Sequence, residues 1–411
     1  MKYFAILTIL YFLSCPGMAQ NSVPTLAEAI TLALERNPGV QQKVLEVEKQ
    51  SVLKRTAFEI PKTDVSLLYG QYNSIEKNDN NITISQSIPF PTVLGKQHAL
   101  NNMLVRQAQL HESITRNELT FEVKQIVNQL HYLKARQQIL LRQDSLLSHL
   151  TRIADLHYRT GEGTLLGKAS AETQLAEMKN QLSRNHADIQ TAIRHLQLVC
   201  QSPEITDIAG SLENTAQVLD LDSAALMENP AITLAKQNTV IANQQKKVEA
   251  SRMMPDLRFG YFNQTLTGYQ NVDGQEVYYG SDKRFQGFQF GLSFPLLFGP
   301  HSSRVRAADV ATEAAQKQQE ASELHIRQQY TQAAQELLKN KNSVEYLRST
   351  ALVTAELTTT QSKKSFESGE LEYSVLLLNL RQALTIREEY LLALFQYNNS
   401  IITLEFLNGN K

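Results

Sequence analysis

The stretch Leu34-Glu35-Arg36-Asn37-Pro38-Gly39-Val40 decides the fold, because Met227-Glu228-Asn229-Pro230-Ala231-Ile232 repeats its pattern later in the chain. Two further pairs follow in the same order: Ser87-Ile88-Pro89-Phe90 with Ser293-Phe294-Pro295-Leu296, and Tyr158-Arg159-Thr160-Gly161-Glu162 with Phe366-Glu367-Ser368-Gly369-Glu370. The offset drifts from about 192 to about 208 residues, which indicates one duplication with small insertions rather than a short solenoid repeat. Each half is therefore expected to carry a short helix, two strands and a long helical stretch broken once by glycine.

The N-terminus is typical of a secretory signal peptide. Lys2 precedes an apolar run, Phe4 to Leu13, that is too short to span a bilayer as a helix. Gly17-Met18-Ala19 then supplies the small residues that a signal peptidase reads, so we expect cleavage before Gln20. A buried N-terminal helix and lipidation at Cys15 are the alternatives, although the residues before Cys15 match a lipoprotein signal poorly.

The composition excludes some classes of protein. The net charge is -1 with acids and bases interspersed, which argues against a basic surface for nucleic acid. After the signal peptide the sequence has no run of 18 apolar residues, so it predicts no transmembrane helix. A β-barrel protein of the outer membrane has these properties, because its apolar residues alternate along the strands.

Two long helical rods are predicted from the distribution of proline and glycine. No proline occurs between Pro91 and Pro203 or after Pro300, and strong helix formers dominate both stretches. Helices over residues 94–157 and 302–366 would each contain roughly 64 residues and measure about 96 Å. Apolar residues recur at spacings of three and four, which is typical of coiled-coil packing against a neighbouring helix.

Four strands are predicted from alternating apolar and polar residues. The runs Asn81 to Phe90 and Phe288 to Phe294 alternate most clearly, and the runs Val65 to Tyr69 and Leu257 to Tyr261 are their predicted partner strands. Their lengths suit a tilted strand that crosses a bilayer, although a half-buried strand of a soluble sheet alternates in the same way. The residues predicted to face lipid are Ile82, Ile84, Ile88, Phe288, Phe290, Leu292 and Phe294. The segment Gly268 to Arg284 is predicted to be a polar outer loop.

Four strands cannot close a barrel, and an open edge in lipid leaves backbone groups unpaired. We therefore expect three copies to form a closed barrel of twelve strands, with prolines at the corners between strand and helix. The predicted fold class is mainly α with a membrane β-barrel portion. The predicted divisions are 1–19 (signal peptide), 20–61 (first N-terminal helix), 62–91 (first β-hairpin), 92–202 (first helical segment, turning near 158–164), 203–255 (linker and second N-terminal helix), 256–300 (second β-hairpin) and 301–411 (second helical segment, turning near 366–370).

Taken together, these residues resemble the TolC family of outer-membrane channels over essentially the whole mature chain. The Ala-Leu-x-x-Asn-Pro opening, the duplication and the Tyr-x-x-Gly turn carry the resemblance. It implies a homotrimer with a helical periplasmic tunnel, acting as the passive exit duct of a tripartite pump. The implied partners are a periplasmic adaptor and an inner-membrane pump of the RND type. The segment Ser85 to Pro91 with Gly95-Lys96 is similar to members paired with heavy-metal efflux pumps.

The resemblance also assigns roles to two sets of residues. The adaptor would dock on the two glycine turns, formed by Tyr158, Thr160, Gly161 and Glu162 and by Phe366, Ser368, Gly369 and Glu370. Some members narrow the tunnel with aspartates after the second turn, but Val375 and Leu378 occupy those positions here. A gate in this chain would be either apolar, at these two residues, or acidic, at Glu370 and Glu372.

The sequence gives no indication of catalysis. The nine histidines are scattered without metal-ligand spacing, and no phosphate-binding loop or nucleophile elbow occurs. We therefore predict that the protein is not an enzyme and has no cofactor, no metal site and no nucleic-acid partner. Two alternatives to the efflux duct stay open: an export duct of a type I protein secretion system, and a periplasmic coiled-coil scaffold without a pore.

Overall fold

The computed structural model describes residues 23–71, 77–213 and 225–409. The predicted signal peptide and Cys15 lie outside these residues. The chain divides into two compact units. One contains the residues up to Ala33, Val123–Glu213 and Thr350–Phe395, and the other contains Leu34–Glu122, Asn214–Ser349 and the residues from Gln396 onward. The prediction of a mainly helical chain with a small β portion is confirmed.

Eight α-helices and six strands are found in the described ranges. The helices are α1 (Leu26–Arg36), α2 (Pro38–Leu53), α3 (Pro91–Thr160), α4 (Leu165–Cys200), α5 (Pro230–Ser251), α6 (Phe298–Tyr346), α7 (Leu352–Glu367) and α8 (Tyr373–Leu407). The strands are β1 (Asp64–Tyr69), β2 (Asn80–Ile88), β3 (Asp256–Gln264), β4 (Gly268–Val272), β5 (Gln275–Tyr279) and β6 (Phe285–Ser293). None of these helices combines the length and the apolar content that a membrane crossing requires.

The two Asn-Pro motifs each begin a helix. Asn37 caps α2 by accepting a hydrogen bond on Oδ1 from the Gly39 amide, and Pro38 is the first helical residue. Asn229 and Pro230 do the same for α5. Proline is favoured at this position because its missing N–H would be unpaired there in any case. The single helix expected over residues 20–61 is therefore two helices, since α1 ends where α2 begins.

The second rod contains an irregularity that the first lacks. Between α6 and α7 the five residues Leu347–Ala351 form a π-helical turn. Measured from Pro91 to Gly161 and from Phe298 to Gly369, the second rod is one residue longer than the first. A π turn absorbs one extra residue without displacing the ends of a helix. The π turn thus accounts for the one-residue difference in length between the two rods.

Strands from both halves form one antiparallel sheet, in the order β1-β2-β3-β6. Residues in the same register face the same side, so Val65, Ile84, Tyr261 and Phe288 form one row across the sheet. The segment Gly268 to Arg284 is not a simple loop, because β4 and β5 form a separate hairpin within it. Its turn at Asp273-Gly274 provides two residues with positive φ, which a two-residue hairpin needs.

Side-chain amides join the helices of the unit that contains the sheet. The Nδ2 atom of Asn340, a residue of α6 that is 3% exposed, donates to the Gln396 carbonyl (3.3 Å) and to Ser400 Oγ (2.9 Å), both on α8. The same kind of bond recurs from Asn101 to the Leu53 carbonyl, from Asn117 to Phe406, from Gln237 to Met103 and from Gln244 to Lys96. Tyr330, Leu404 and Leu407 lie in an apolar cluster of the same unit.

The unit that contains the helix turns has a leucine core. Leucines of α3 and α8 pack with Met178 of α4, the buried members being Leu140, Leu147, Leu150, Leu376, Leu377 and Leu380. Amides again tie helices together, since Asn185 donates from Nδ2 to the Leu133 carbonyl at 3.0 Å. Narrow apolar seams supplemented by amide bonds explain why the polar composition of these rods still allows packing.

Replacing Asn340 tests the contribution of these amide bonds. We expect Asn340→Ala to cost about 1–3 kcal/mol, because the Gln396 carbonyl and Ser400 lose a buried donor. Thermal unfolding of the purified protein, followed by circular dichroism, should give a melting temperature lower by several degrees. The exposed neighbour Asn342 is the matched control, and equal effects of Asn342→Ala and Asn340→Ala would contradict the assignment.

Candidate functional site

The first helix-reversing turn is closed by backbone bonds around Gly161. The amides of Glu162 and Gly163 both donate to the His157 carbonyl at 2.9 Å, so the last turn of α3 is capped. Gly161 has φ +80°, the left-handed conformation that this cap requires. Thr164 then begins α4 by accepting the Gly167 amide on its hydroxyl.

The second turn repeats the first. The amides of Glu370 and Leu371 donate to the Ser365 carbonyl at 2.8 and 3.1 Å, and Gly369 has φ +77°. Glu370 thus corresponds to Glu162, and Gly369 to Gly161. The residues predicted for adaptor docking therefore form two equivalent turns, both in the same unit.

Different interactions hold the two turns. Across the first, Asp155 of α3 pairs with Lys168 of α4 at 2.7 Å and with Arg159 at 2.9 Å. A hydrogen bond from Lys168 and the charge of Arg159 lower the pKa of the Asp155 carboxyl, so this carboxyl stays ionised, and its ion pairs persist, to a lower pH than for an ordinary aspartate. Lys363 and Leu376 occupy the positions equivalent to Asp155 and Lys168 in the second half.

Apolar packing holds the second turn. The rings of Phe366 and Tyr373 lie 6.0 Å apart and pack on the leucine core, together with Leu371. Burial raises the pKa of Tyr373 to about 12. This turn is therefore stabilised by packing where the first is stabilised by charge.

Two leucines of the first turn were not identified from the sequence. Leu165 and Leu166 begin α4 and are 61% and 79% exposed. Tyr158, which was identified, is 40% exposed near the end of α3, and Lys168 Nζ of α4 lies 5.5 Å from its ring centroid. The Thr-Leu-Leu sequence after the turn was the available signal, because apolar residues at the start of a helix with no partner form an accessible patch.

The candidate gate residues lie after the second turn. Glu370, Glu372, Val375 and Leu378 are all exposed in the single chain. Glu372 immediately precedes α8, and its carbonyl accepts the amides of Val375 and Leu376. The acidic pair thus lies in the turn, and the apolar pair lies on the first turns of α8.

The sheet has one apolar and one polar face. The predicted lipid-facing residues of β2 and β6 share one face by register, and Phe288 and Phe290 are 75% and 77% exposed. Leu257, Phe259 and Tyr261 of β3 lie on that face too, with the rings of Phe259 and Phe290 edge to face at 5.7 Å. Phe294 follows directly after β6. The opposite face is made chiefly of small and polar residues, including Thr83, Ser85, Ser87, Gly260, Gly287, Gln289 and Gly291.

Asp79 was also missed by sequence analysis. It is fully buried, and its Oδ1 accepts hydrogen bonds from the Thr265 hydroxyl (3.0 Å) and the Thr267 amide (2.9 Å). Its carbonyl accepts the Gly70 amide at 2.8 Å. Asp79 therefore ties the β1–β2 connection to the start of the β4–β5 hairpin. A single aspartate in a polar loop gave no sequence signal for this role.

Within the described residues, no three histidine, cysteine, aspartate or glutamate side chains are grouped so that they could hold a metal ion.

The sequence matches no protein-family model and no curated protein sequence. The fold, however, is similar to those of solved channel structures. The outer-membrane channel OprN superposes with a TM-score of 0.79 at 16% identity, over 95% of this chain and 91% of that one. CusC, described for its transmembrane channel formation, gives 0.77 at 13% identity over 93% and 92%. The outer membrane protein VceC from Vibrio cholerae gives 0.77 at 15% identity over 93% and 96%. This chain therefore has the fold of these channels.

Because Gly161 and Gly369 have positive φ angles, alanine at either position should destabilise its turn. We expect Gly161→Ala and Gly369→Ala each to cost about 1 kcal/mol, because a Cβ in the left-handed region clashes with the following carbonyl. Limited proteolysis near the turns should become faster. Gly95→Ala is the control, since Gly95 lies in α3 with open space around it and alanine favours a helix. Equal rates of cleavage near the turns in all three variants would contradict the claim that the turns need glycine at positions 161 and 369.

Proposed function

We propose that this chain is a member of the TolC family and forms the outer-membrane exit duct of a tripartite efflux system. Three copies would close a twelve-stranded barrel in the outer membrane, with the long helices extending into the periplasm. The duct is passive, and neither a catalytic group nor a cofactor is needed for it. Similarity to OprN, CusC and VceC over most of each chain supports the proposal.

The exposed apolar face of the sheet carries the proposal. Phe288, Phe290 and Leu292 of β6 are each more than 60% exposed, and Val65 and Leu67 of β1 are exposed to a similar extent. Large apolar side chains exposed on one face of a sheet are costly in water and favourable in lipid. The opposite face is made chiefly of small and polar residues, which suits the wall of a wet channel.

The two turns are the proposed docking sites for the periplasmic adaptor. Their exposed residues, with the patch formed by Leu165, Leu166 and Tyr158, offer apolar contacts beside backbone groups. The proposed driver is an inner-membrane pump of the RND type, and the proposed cargo is a heavy-metal cation. The cargo proposal rests on the resemblance around Ser85 to Pro91, and loss of metal resistance on deletion of the gene is its test.

Conductance in planar bilayers tests the duct. The purified protein should insert and give discrete, mostly small openings, since a duct without its partners is expected to be constricted at the turns. Its mass in detergent should correspond to three chains. A water-soluble single chain that never conducts would overturn the proposal and favour the scaffold alternative.

The acidic and apolar gates predict different effects of substitution. If the glutamates line the constriction, Glu370→Gln with Glu372→Gln should lower the cation-to-anion permeability ratio several-fold, because a ring of carboxylates attracts cations. Glu356→Gln, at an exposed acid of α7, is the control. A permeability ratio that the glutamate substitutions leave unchanged would contradict the acidic gate. A larger conductance in the double variant Val375→Ser with Leu378→Ser would then favour the apolar gate.

A further inference from the structure

A groove with basic side chains lies where the end of α2 meets the first turns of α3. Its volume is about 450 Å³, and its lining residues are Ser51, Lys54, Arg55, Phe58, His98, Asn102 and Val105. None of the described residues that line it carries a carboxylate. A concave site that combines two permanent cations with neutral hydrogen-bond donors is suited to an anion.

The positive charges of this groove lack counter-ions among the described residues. Neither Lys54 nor Arg55 forms an ion pair or a side-chain hydrogen bond within residues 23–71, 77–213 and 225–409. Lys54 is only partly exposed. A partly buried cation without a partner favours an anion from outside the chain, because a desolvated charge is costly until it is paired.

The duplicate of this groove in the second half is neutralised. The Asn-Pro motifs align Lys54 with Lys246, and the first residues of the two rods align Asn102 with Asp309. Lys246 Nζ lies 2.5 Å from Asp309 Oδ1. In the first half, asparagine stands where the second half has that aspartate. The uncompensated charge is therefore specific to the groove of the first half.

The groove lies next to the end of the sheet from which the rods extend. Gln86 of β2 donates from Nε2 to the Pro61 carbonyl at 2.7 Å and accepts the Thr63 hydroxyl on Oε1 at 2.6 Å. Register places Gln86 in one row with Phe259 and Phe290, on the apolar face of the sheet. The segment that leads from the groove into β1 is therefore tied to that face.

The groove also has the depth of a lipid headgroup. His98 is seven residues after Pro91, the first residue of α3, which places it about 10 Å along the helix axis from the start of α3. Each polar layer of a bilayer extends for about 5–7 Å beyond the hydrocarbon. Lysine and arginine have long apolar stems that span the difference. If the apolar face of the sheet lies in hydrocarbon, Lys54 and Arg55 are thus at the level of the headgroups.

Exposed apolar side chains flank the charges. Phe58 and Ile60 are 56% and 50% exposed. Phe58 also lies against His98, with the ring centroids 5.1 Å apart. An inorganic anion would use the cations alone and leave these apolar side chains in water. An amphiphile with a charged head and hydrocarbon tails would satisfy both parts of the surface.

We propose that this groove binds the phosphate of a membrane phospholipid. Lys54 and Arg55 contact the phosphate, and the acyl chains cover the exposed apolar side chains beside it. The proposal rests on the proposed duct, in which this end of the sheet faces the periplasm, so the lipid belongs to the periplasmic leaflet. One such lipid per chain would hold the junction between sheet and rods at a fixed depth in the membrane.

Native mass spectrometry of the full chain in detergent tests the site. Titration with dioctanoyl phosphatidylglycerol should give saturable binding of one lipid per chain. Dioctanoylglycerol, which lacks the phosphate, and inorganic phosphate, which lacks the acyl chains, should each bind at least about tenfold more weakly. Equally tight binding of inorganic phosphate would overturn the lipid in favour of a free anion. Equally tight binding of dioctanoylglycerol would overturn the contact with phosphate.

Removal of the two cations tests which residues bind the lipid. Lys54→Gln with Arg55→Gln should weaken the binding of dioctanoyl phosphatidylglycerol by about tenfold or more, because both charge-assisted contacts are lost. Lys339→Gln with Lys341→Gln is the matched control, since it removes two exposed charges from α6 and should leave binding unchanged. Equal losses of binding in the two double variants would overturn the site.

The variant Asn102→Asp separates binding from folding. It introduces the carboxylate that Asp309 provides in the second half, so Lys54 gains a counter-ion within its own chain. The melting temperature should equal or exceed that of the parent protein, while binding of dioctanoyl phosphatidylglycerol should weaken by about tenfold or more. A variant that binds this lipid as tightly as the parent protein would overturn the role of Lys54.

The possible results separate the lipid site from the duct. A conducting oligomer that binds dioctanoyl phosphatidylglycerol no more tightly than the variant without Lys54 and Arg55 overturns the site and leaves the duct standing. Saturable lipid binding that requires these two residues, in a protein that never conducts, supports the site and overturns the duct. Water-soluble chains that neither bind the lipid nor conduct overturn both.

Discussion

An unpaired strand edge is the constraint on which the rest of this structure depends. In lipid, each backbone N–H or C=O without a partner costs several kcal/mol. The four-stranded sheet ends at β1 on one side and at β6 on the other, while its apolar face is exposed. In a single chain, the outer edges of β1 and β6 therefore have no strand to pair with among the described residues. In the proposed oligomer, repetition of the chain around an axis would pair each β6 with the next β1 and remove every edge.

Because the chain is duplicated, its two halves contribute the same kinds of element to the fold. Each half supplies one short helix that begins at an Asn-Pro motif, one hairpin of the sheet and one rod that reverses at a glycine. The two halves differ where their roles can differ. The first turn is held by Asp155 and Lys168, and the second by packing of Phe366 and Tyr373. The backbone of the two turns is the same, so a partner that recognises backbone would meet two equivalent sites with different side chains around them.

Much of this fold could be predicted from the sequence, because its signals are strong and local. Alternation defined the four strands of the large sheet but not the β4–β5 hairpin, and proline and glycine marked the ends of the rods. Other features depend on contacts between residues far apart and left no such signal. Asp79 reaches Thr265 across the fold, and Asn340 reaches Gln396. The π turn at Leu347–Ala351 was missed because one inserted residue hardly changes an apolar pattern. Leu165 and Leu166 did leave a signal, two leucines directly after the turn, but their exposure depends on the packing around them.

The symmetry of the assembled particle tests the central claim most directly. Electron cryomicroscopy of the protein extracted from membranes into nanodiscs would reveal both the number of copies and the pairing of the sheet edges. The account predicts a three-fold ring in which β6 of each copy pairs with β1 of the next, giving twelve strands around a wet centre. A single chain, or a two-fold dimer with β1 and β6 unpaired in the membrane, would contradict it.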